Sequence, residues 1–271
     1  MKRNIICIVL SLLSQTVFAL SEVKEKGFLR VAVYQDFAPF SFRDNGRLVG
    51  IEVELAKLLA QKLAVDPLIW PIIADETMDD DLRNSVWKGH YLGGGTADVM
   101  LHVPVNKQFA KNNDMVLIDN PYFKEEVVVV RHNTKAISPL FKLFEEAYIG
   151  VELDSLADFY LLGAMGGRYR ENIVHYPTIR LAIKALQDGE VQTVVAAKSQ
   201  IESALAANLE DYLLSPLSMP ASYQSSWMVG MAVKRGREEL MIKLKDALKE
   251  LKETGELTRL FNKYNLTFNA P

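Results

Sequence analysis

Two separate runs of alternating strand and helix patterns, joined by two apolar strand-like connectors, constrain this chain more than any other feature of its sequence. In the first run, FLRVAVYQ from Phe28 alternates apolar and polar side chains as a half-buried strand does. Phe37-Ala38-Pro39-Phe40 then breaks it into a loop, and Asn45-Gly46 signals a tight hairpin turn. After Gly50, IEVELAKLLAQKLAV sets Ile51, Leu55, Leu58, Leu59 and Leu63 on one helical stripe, and DPLIWPII follows as a second strand. Strand, loop, helix and strand in that order predict a right-handed βαβ crossover.

Residues 75–95 are more polar, with Asp79-Asp80-Asp81 at an expected helix start and Gly93-Gly94-Gly95 at its end. Carboxylates at a helix N-terminus favour the dipole. No glycine-centred calcium loop follows them, and the triple glycine precedes a strand, TADVMLHVPV, instead of the helix that a phosphate loop needs. It reads as a turn. EEVVVVRH (125–132) is a β-branched run of the kind buried on both faces or passing between two bodies. A second α/β run follows it: strand YIGVE, helix SLADFYLLGAMGG, strand NIVHYP, helix TIRLAIKALQDG, strand VQTVVAAK and helix SQIESALAANL. SSWMVGMAV (225–233) is the second connector, and two amphipathic stretches, REELMIKLKDALKELKETG and GELTRLFNKYN, close the chain.

At the N-terminus, Lys2 and Arg3 precede an apolar run from Ile5 to Leu13, and Val17-Phe18-Ala19 offers small residues where a signal peptidase reads. This pattern predicts a secretory signal peptide over residues 1–19 and a periplasmic protein. The run is shorter than the roughly 20 apolar residues a membrane helix needs. The single cysteine, Cys7, would leave with the leader, and Leu20 stands where a lipoprotein would need a cysteine, so neither a disulfide nor a lipid anchor is expected. Cleavage removes Lys2 and Arg3 from 31 basic residues, leaving 29 against 34 acidic ones. A mildly acidic chain without a Lys/Arg block or basic-aromatic stripe argues against nucleic acid as a partner.

Several segments in fixed order carry a family resemblance: LRVAVYQDFAPFSF, Asn45-Gly46 with LVGIEVELAKLLAQKL, TADVMLHVP, PYF before a valine-rich strand, and the tail ALKELKETGELTRLFNKY. Together they resemble the family 3 extracellular solute-binding proteins of ABC importers, over nearly the whole mature chain. The resemblance implies an α/β, two-lobed type II periplasmic binding fold with two hinge crossings, near residues 128 and 227. Lobe 1 would comprise residues 20–127 and 227–271, and lobe 2 residues 128–226. It also implies a monomer that captures a small polar organic solute in an interlobe cleft, without a cofactor, for an ABC permease. DVMLHVPV followed by NPYFKEEVVVV, with Arg83-Asn84 upstream, is further similar to binding-protein-like components that accompany quinoprotein alcohol dehydrogenases. An accessory role beside such a dehydrogenase is therefore the alternative, and a solute-processing enzyme of the dehydratase type is another.

In such a receptor, ligand groups come from loops at the strand ends that face the cleft. The expected lobe 1 residues are Tyr34, Asp36, Phe37 and Phe40 after the first strand, Trp70 and Arg83 nearby, and His102, Val103, Pro104 and Val105 after the central strand. In lobe 2 they are Asp154 and Ser155 before a helix, and Ala197-Lys198 after VQTVVA. Each has a structural alternative: Phe37 and Phe40 packing under the loop, Trp70 in the core, Arg83 paired with a carboxylate, Ser155 capping its helix. Amino-acid receptors of the family hold the ligand carboxylate with an arginine and its ammonium with an aspartate. Ungapped alignment places Ala110 and Ala197 at those two positions, and the directional arginine-carboxylate contact is not reproduced by Lys107 or Lys111. The four histidines, His90, His102, His132 and His175, lack a metal-ligand spacing, and GxSxG is absent, so neither a metal nor a catalytic residue is expected. Glu52 and Glu152 stand isolated in sequence and read as helix-start or surface carboxylates.

Overall fold

A computed structural model describes residues 18–133, 140–220 and 223–271. The expected leader and Cys7 fall outside the described residues, except that Phe18–Lys26 form the first helix, α1. Among the described residues no helix is long and apolar enough to cross a membrane.

The chain divides into two compact units, one of residues 1–124, 228–264 and 268–271, the other of residues 125–227 and 265–267. In the first, β1 (Phe28–Tyr34) leads through a hairpin of β2 (Phe42–Asp44) and β3 (Arg47–Val49) to helix α2 (Ile51–Lys62) and strand β4 (Asp66–Ile72). Thr77 then caps helix α3 (Met78–Leu82), which widens into a π-turn over Arg83–Trp87 before strand β5 (Val99–Pro104). Helix α4 (Lys107–Asn112), capped by Asn106, precedes the long strand β6 (Val116–His132), which carries the chain into the second unit. There the order is α5 (Leu140–Glu146), β7 (Ile149–Glu152), α6 (Leu156–Gly163), β8 (Ile173–Tyr176), α7 (Ile179–Asp188), β9 (Thr193–Ala197), α8 (Lys198–Leu205) and β10 (Tyr212–Pro216). Strand β11 (Ser226–Lys234) returns to the first unit, which closes with α9 (Glu238–Glu253) and α10 (Glu256–Lys263).

The two sheets repeat one plan. In the first unit β1 pairs in parallel with β4 on one side and β5 on the other; in the second, β7 pairs in parallel with β8 and β9. Each sheet therefore reverses its strand order beside the unit's first parallel strand. That reversal opens a crevice outside the C-terminal strand ends, where open α/β sheets bind ligands.

The valine run of β6 is buried on both faces, as its composition requires. Val127 and Val129 join a core with Ile149, Val151 and Val195, while Val128 and Val130 join one with Ile179, Ile183 and Leu186. The strand starts at Val116, nine residues before that run, in a more polar stretch where buried Val116, Asn120, Tyr122 and Phe123 are interspersed with half-exposed residues. Helices α4 and α5 and strand β10 are too short or too weakly patterned to read from sequence. Residues 265–267 pack with the second unit although the helices before them belong to the first. The Thr267 N–H donates to Glu202 at 2.9 Å, one of the bonds that hold the segment there.

Candidate functional site

A cavity of about 460 Å³ lies within the first unit, lined by Tyr34, Gln35, Asp36, Phe37, Ile72, Ile73, Ala74, Met78 and His102. It occupies the reversal point between β1 and β5. The residues after β1 supply one wall, the end of β4 and the start of α3 another, and His102 on β5 a third.

The aromatic loop is clamped at its base. Phe37 and Ser41 exchange backbone hydrogen bonds at 2.7 and 2.9 Å, and the Phe40 carbonyl accepts from the Glu52 N–H at 2.8 Å. Gly50 permits this approach: a Cβ there would fall 2.2 Å from the Phe40 oxygen, and its φ of 132° disfavours any other residue. Phe37 is stacked on Phe40 at 5.7 Å between ring centroids, and both rings meet His102 edge-on, at 4.5 and 4.6 Å.

His102 owes its direction to the backbone. It has a φ of 60° within β5, where the register against β11 also shifts. A non-glycine residue held in this left-handed region costs about 1–3 kcal/mol unless its surroundings over-determine it. Here they do. The His102 N–H donates to the Tyr122 hydroxyl at 2.9 Å, and its Nδ1 lies 2.6 Å from Glu52 Oε1, which also accepts from the Tyr122 hydroxyl. Glu52 is fully buried, with its Oε2 unpartnered. A buried carboxyl group needs hydrogen-bond partners, and this contact orients the ring with Nε2 as the remaining polar atom. Burial, then Glu52, pushes the Tyr122 phenol well above its ordinary pKa, so the hydroxyl keeps its proton for this contact.

Tyr34 is positioned in the same way. Its hydroxyl donates to Asp81 at 2.6 Å, and Asp81 also accepts from the Asp75 N–H at 2.8 Å. Burial raises the pKa of both groups, with Asp81 the next cause for Tyr34. Asp81 is thus more than a helix-start carboxylate. Asp79 and Asp80 stay in the exposed first turn of α3, while the third aspartate turns inward.

Tyr34, Asp36, Phe37 and His102 line the cavity together. Phe40 and Val103 are wholly buried and offer it no surface. Trp70 lies under the Arg30 guanidinium, 3.9 Å from the ring centroid, away from the lining. Arg83 pairs with Asp80 at 2.7 Å, and Pro104 lies beyond His102, half-buried in β5. Around the second unit's reversal point, Ser155 accepts from the Asp158 N–H as the cap of α6, and Lys198 pairs with Glu126 at 3.1 Å. Ala110 lies in α4 and Ala197 immediately precedes α8. Sequence reading missed Gln35, Ile72, Ile73, Ala74 and Met78, and the supporting residues Glu52, Asp81 and Tyr122. One signal was available for Glu52: it shares a helical stripe with Ala56, Leu59 and Leu63, and a charge on a buried stripe calls for a partner. Among the described residues no cluster of three or more His, Cys, Asp or Glu could hold a metal ion.

Residues 29–86 and 91–267 match the bacterial extracellular solute-binding proteins, family 3. The chain belongs to that family. It is 25% identical over 242 residues to a probable histidine-binding protein of Neisseria gonorrhoeae, covering 87% of this chain and 82% of that protein. Identity to the L-cystine-binding protein TcyJ of Escherichia coli is also 25%, over 255 residues, 90% of this chain and 85% of the relative. A cyclohexadienyl dehydratase of Pseudomonas aeruginosa matches at 39%, over 66 residues that span 22% of this chain and 25% of the enzyme. Among solved structures, an ancestral cationic amino acid solute-binding protein shares the fold, with a TM-score of 0.70 at 20% identity over 91% of this chain and 99% of that one. Solute binding is therefore the role of this family member, and its mixed α/β architecture is that of its structural neighbours.

Proposed function

We propose that this chain captures a small polar organic solute outside the cytoplasmic membrane and presents it to the permease of an ABC importer, with the Tyr34–Phe37–His102 cavity of the first unit as a place where the solute binds. The observation that carries the reading is the position of that cavity. It sits at the strand-order reversal of a family 3 chain, and two of its rings are braced from behind, Tyr34 by Asp81 and His102 by Glu52 and Tyr122. A preformed apolar cavity with a few oriented polar atoms suits a receptor that must bind without reacting. The reading is of a receptor rather than an enzyme: the two relatives aligned over more than four-fifths of their own length are named as binding proteins, whereas the similarity to the dehydratase is confined to a short stretch.

Thermal-shift screening of the purified protein against amino acids, amines, organic acids and alcohols tests this directly. A cognate solute at about 100 times its Kd adds about 2.7 kcal/mol to native stability. For a protein of this size that raises the midpoint by roughly 5–10 °C. If no solute class moves the midpoint, the receptor reading fails.

A further inference from the structure

The charge of the cavity lining is one-sided. None of its lining residues is a lysine or arginine. The Tyr34 hydroxyl spends its proton on Asp81, so its oxygen faces further partners as an acceptor. His102 is turned with Nδ1 against Glu52, which leaves Nε2 as the ring's other polar atom. Asp36, exposed at the rim, is a carboxylate with no hydrogen bond or ion pair among the described residues. Behind this lining stand more carboxylates: Glu52 with an oxygen unpartnered, and Asp81. Their field is felt at the cavity, since Asp81, Glu52 and Asp75 all act to raise the Tyr34 phenol. The nearby cations are already committed, Arg30 over Trp70 and Arg83 to Asp80.

A ligand carboxylate placed here would meet acceptors, ring faces and negative potential, with no donor among the charged groups. An ammonium group would meet the complement of its own chemistry: acceptor atoms, a rim carboxylate and the negative faces of aromatic rings. We propose that the first unit's cavity selects an organic ammonium cation that carries no carboxylate, such as a primary amine with an apolar body filling the Ile72, Ile73, Ala74 and Met78 wall. This rests on the receptor reading above and narrows it to a ligand class.

Matched pairs of ligands test it by isothermal titration calorimetry: cadaverine against lysine and 2-phenylethylamine against phenylalanine, each pair differing by one carboxylate. The expected result is a Kd for at least one amine that is tenfold or more below that of its parent amino acid. Asp36→Asn, at an exposed position without a partner, is expected to weaken that amine tenfold or more while leaving the melting temperature within about a degree. Phe37→Leu, which keeps the apolar volume but removes the ring face, is expected to weaken it several-fold. Equal or tighter binding of the parent amino acids, or an Asp36→Asn variant that binds the amine as well as the native protein, overturns the proposal. If only neutral or anionic solutes bind in the thermal-shift screen, this inference fails and the receptor reading stands. If nothing binds, both fail.

Discussion

Each unit holds a histidine against a buried carboxylate near its strand-order reversal, and the two pairs do different work. In the first, His102 is 12% exposed and its partner Glu52 not at all, with Tyr122 as a third member. In the second, His175 is 37% exposed and pairs at 2.9 Å with Asp158, which is 2% exposed. Asp158 also accepts from the Asp154 N–H, and its own N–H is capped by Ser155. That pair fastens the start of α6, where a carboxylate in the first turn suits the helix dipole. The Glu52 pair instead aims a ring into a cavity. The difference lies in the backbone: His102 sits at a left-handed position inside a strand, whereas His175 sits in regular β8 and points outward. A histidine-carboxylate contact is therefore no mark of a binding site until the backbone and burial around it are known.

Removing the acceptor on each side should break this comparison most visibly. Glu52→Ala leaves the Tyr122 hydroxyl and the His102 ring without their partner in the interior, and is expected to cost about 3–5 kcal/mol. Asp158→Ala, which loses the Asp154 N–H and a half-exposed ring, is expected to cost about 1–3 kcal/mol. Urea unfolding of both variants measures the gap, and equal losses would remove the distinction drawn here. A smaller effect sharpens it from the histidine side. His175→Ala removes an exposed partner and is expected to change stability by less than about 1 kcal/mol and to leave solute affinity unchanged. A loss of solute binding in that variant would place the second pair in the site as well.

The smallest effect concerns a buried carboxylate with no ring partner. Glu202 accepts from the Thr267 N–H, yet burial outweighs that bond and the charge of Lys198, and its pKa lies above the ordinary carboxyl value. The native state therefore holds this proton more firmly than the unfolded chain does. Stability from the group is fully present below the ordinary carboxyl pKa and is lost as pH rises through the raised one. Glu202→Gln, which cannot ionise, should gain on the native protein at pH 7 and lose that advantage as pH falls to about 4. Thermal melts across that range check it; a difference independent of pH would show that burial does not govern Glu202.

Much of the scaffold was legible in the chain because its elements are long and periodic. FLRVAVYQ, IEVELAKLLAQKL and the doubly buried EEVVVVRH each show the period of the element they form. The candidate site was legible in part. Tyr34, Asp36, Phe37 and His102 follow from the rule that loops after parallel strands hold ligands, and they do line one cavity. Phe40, in that loop, and Val103, inside β5, were expected beside them and are buried, since position along the chain does not say which way a side chain turns. The three consecutive aspartates look alike in sequence, and only Asp81 meets a tyrosine 47 positions away. Glu52 finds His102 and Tyr122 at separations of 50 and 70 residues, which no local pattern can report.

By itself the sequence determined the alternation of strands and helices and the two connecting strands, because these depend on residue type and period alone. Tertiary structure decided which polar groups face one another. Pairing β5 with β11 through a register shift and holding His102 at a positive φ swing its ring toward Tyr34 and Phe37. The helix stripe below buries Glu52 where it meets that ring's Nδ1. The chemistry of the cavity, acceptors without cations, is a property of that convergence and of no single segment.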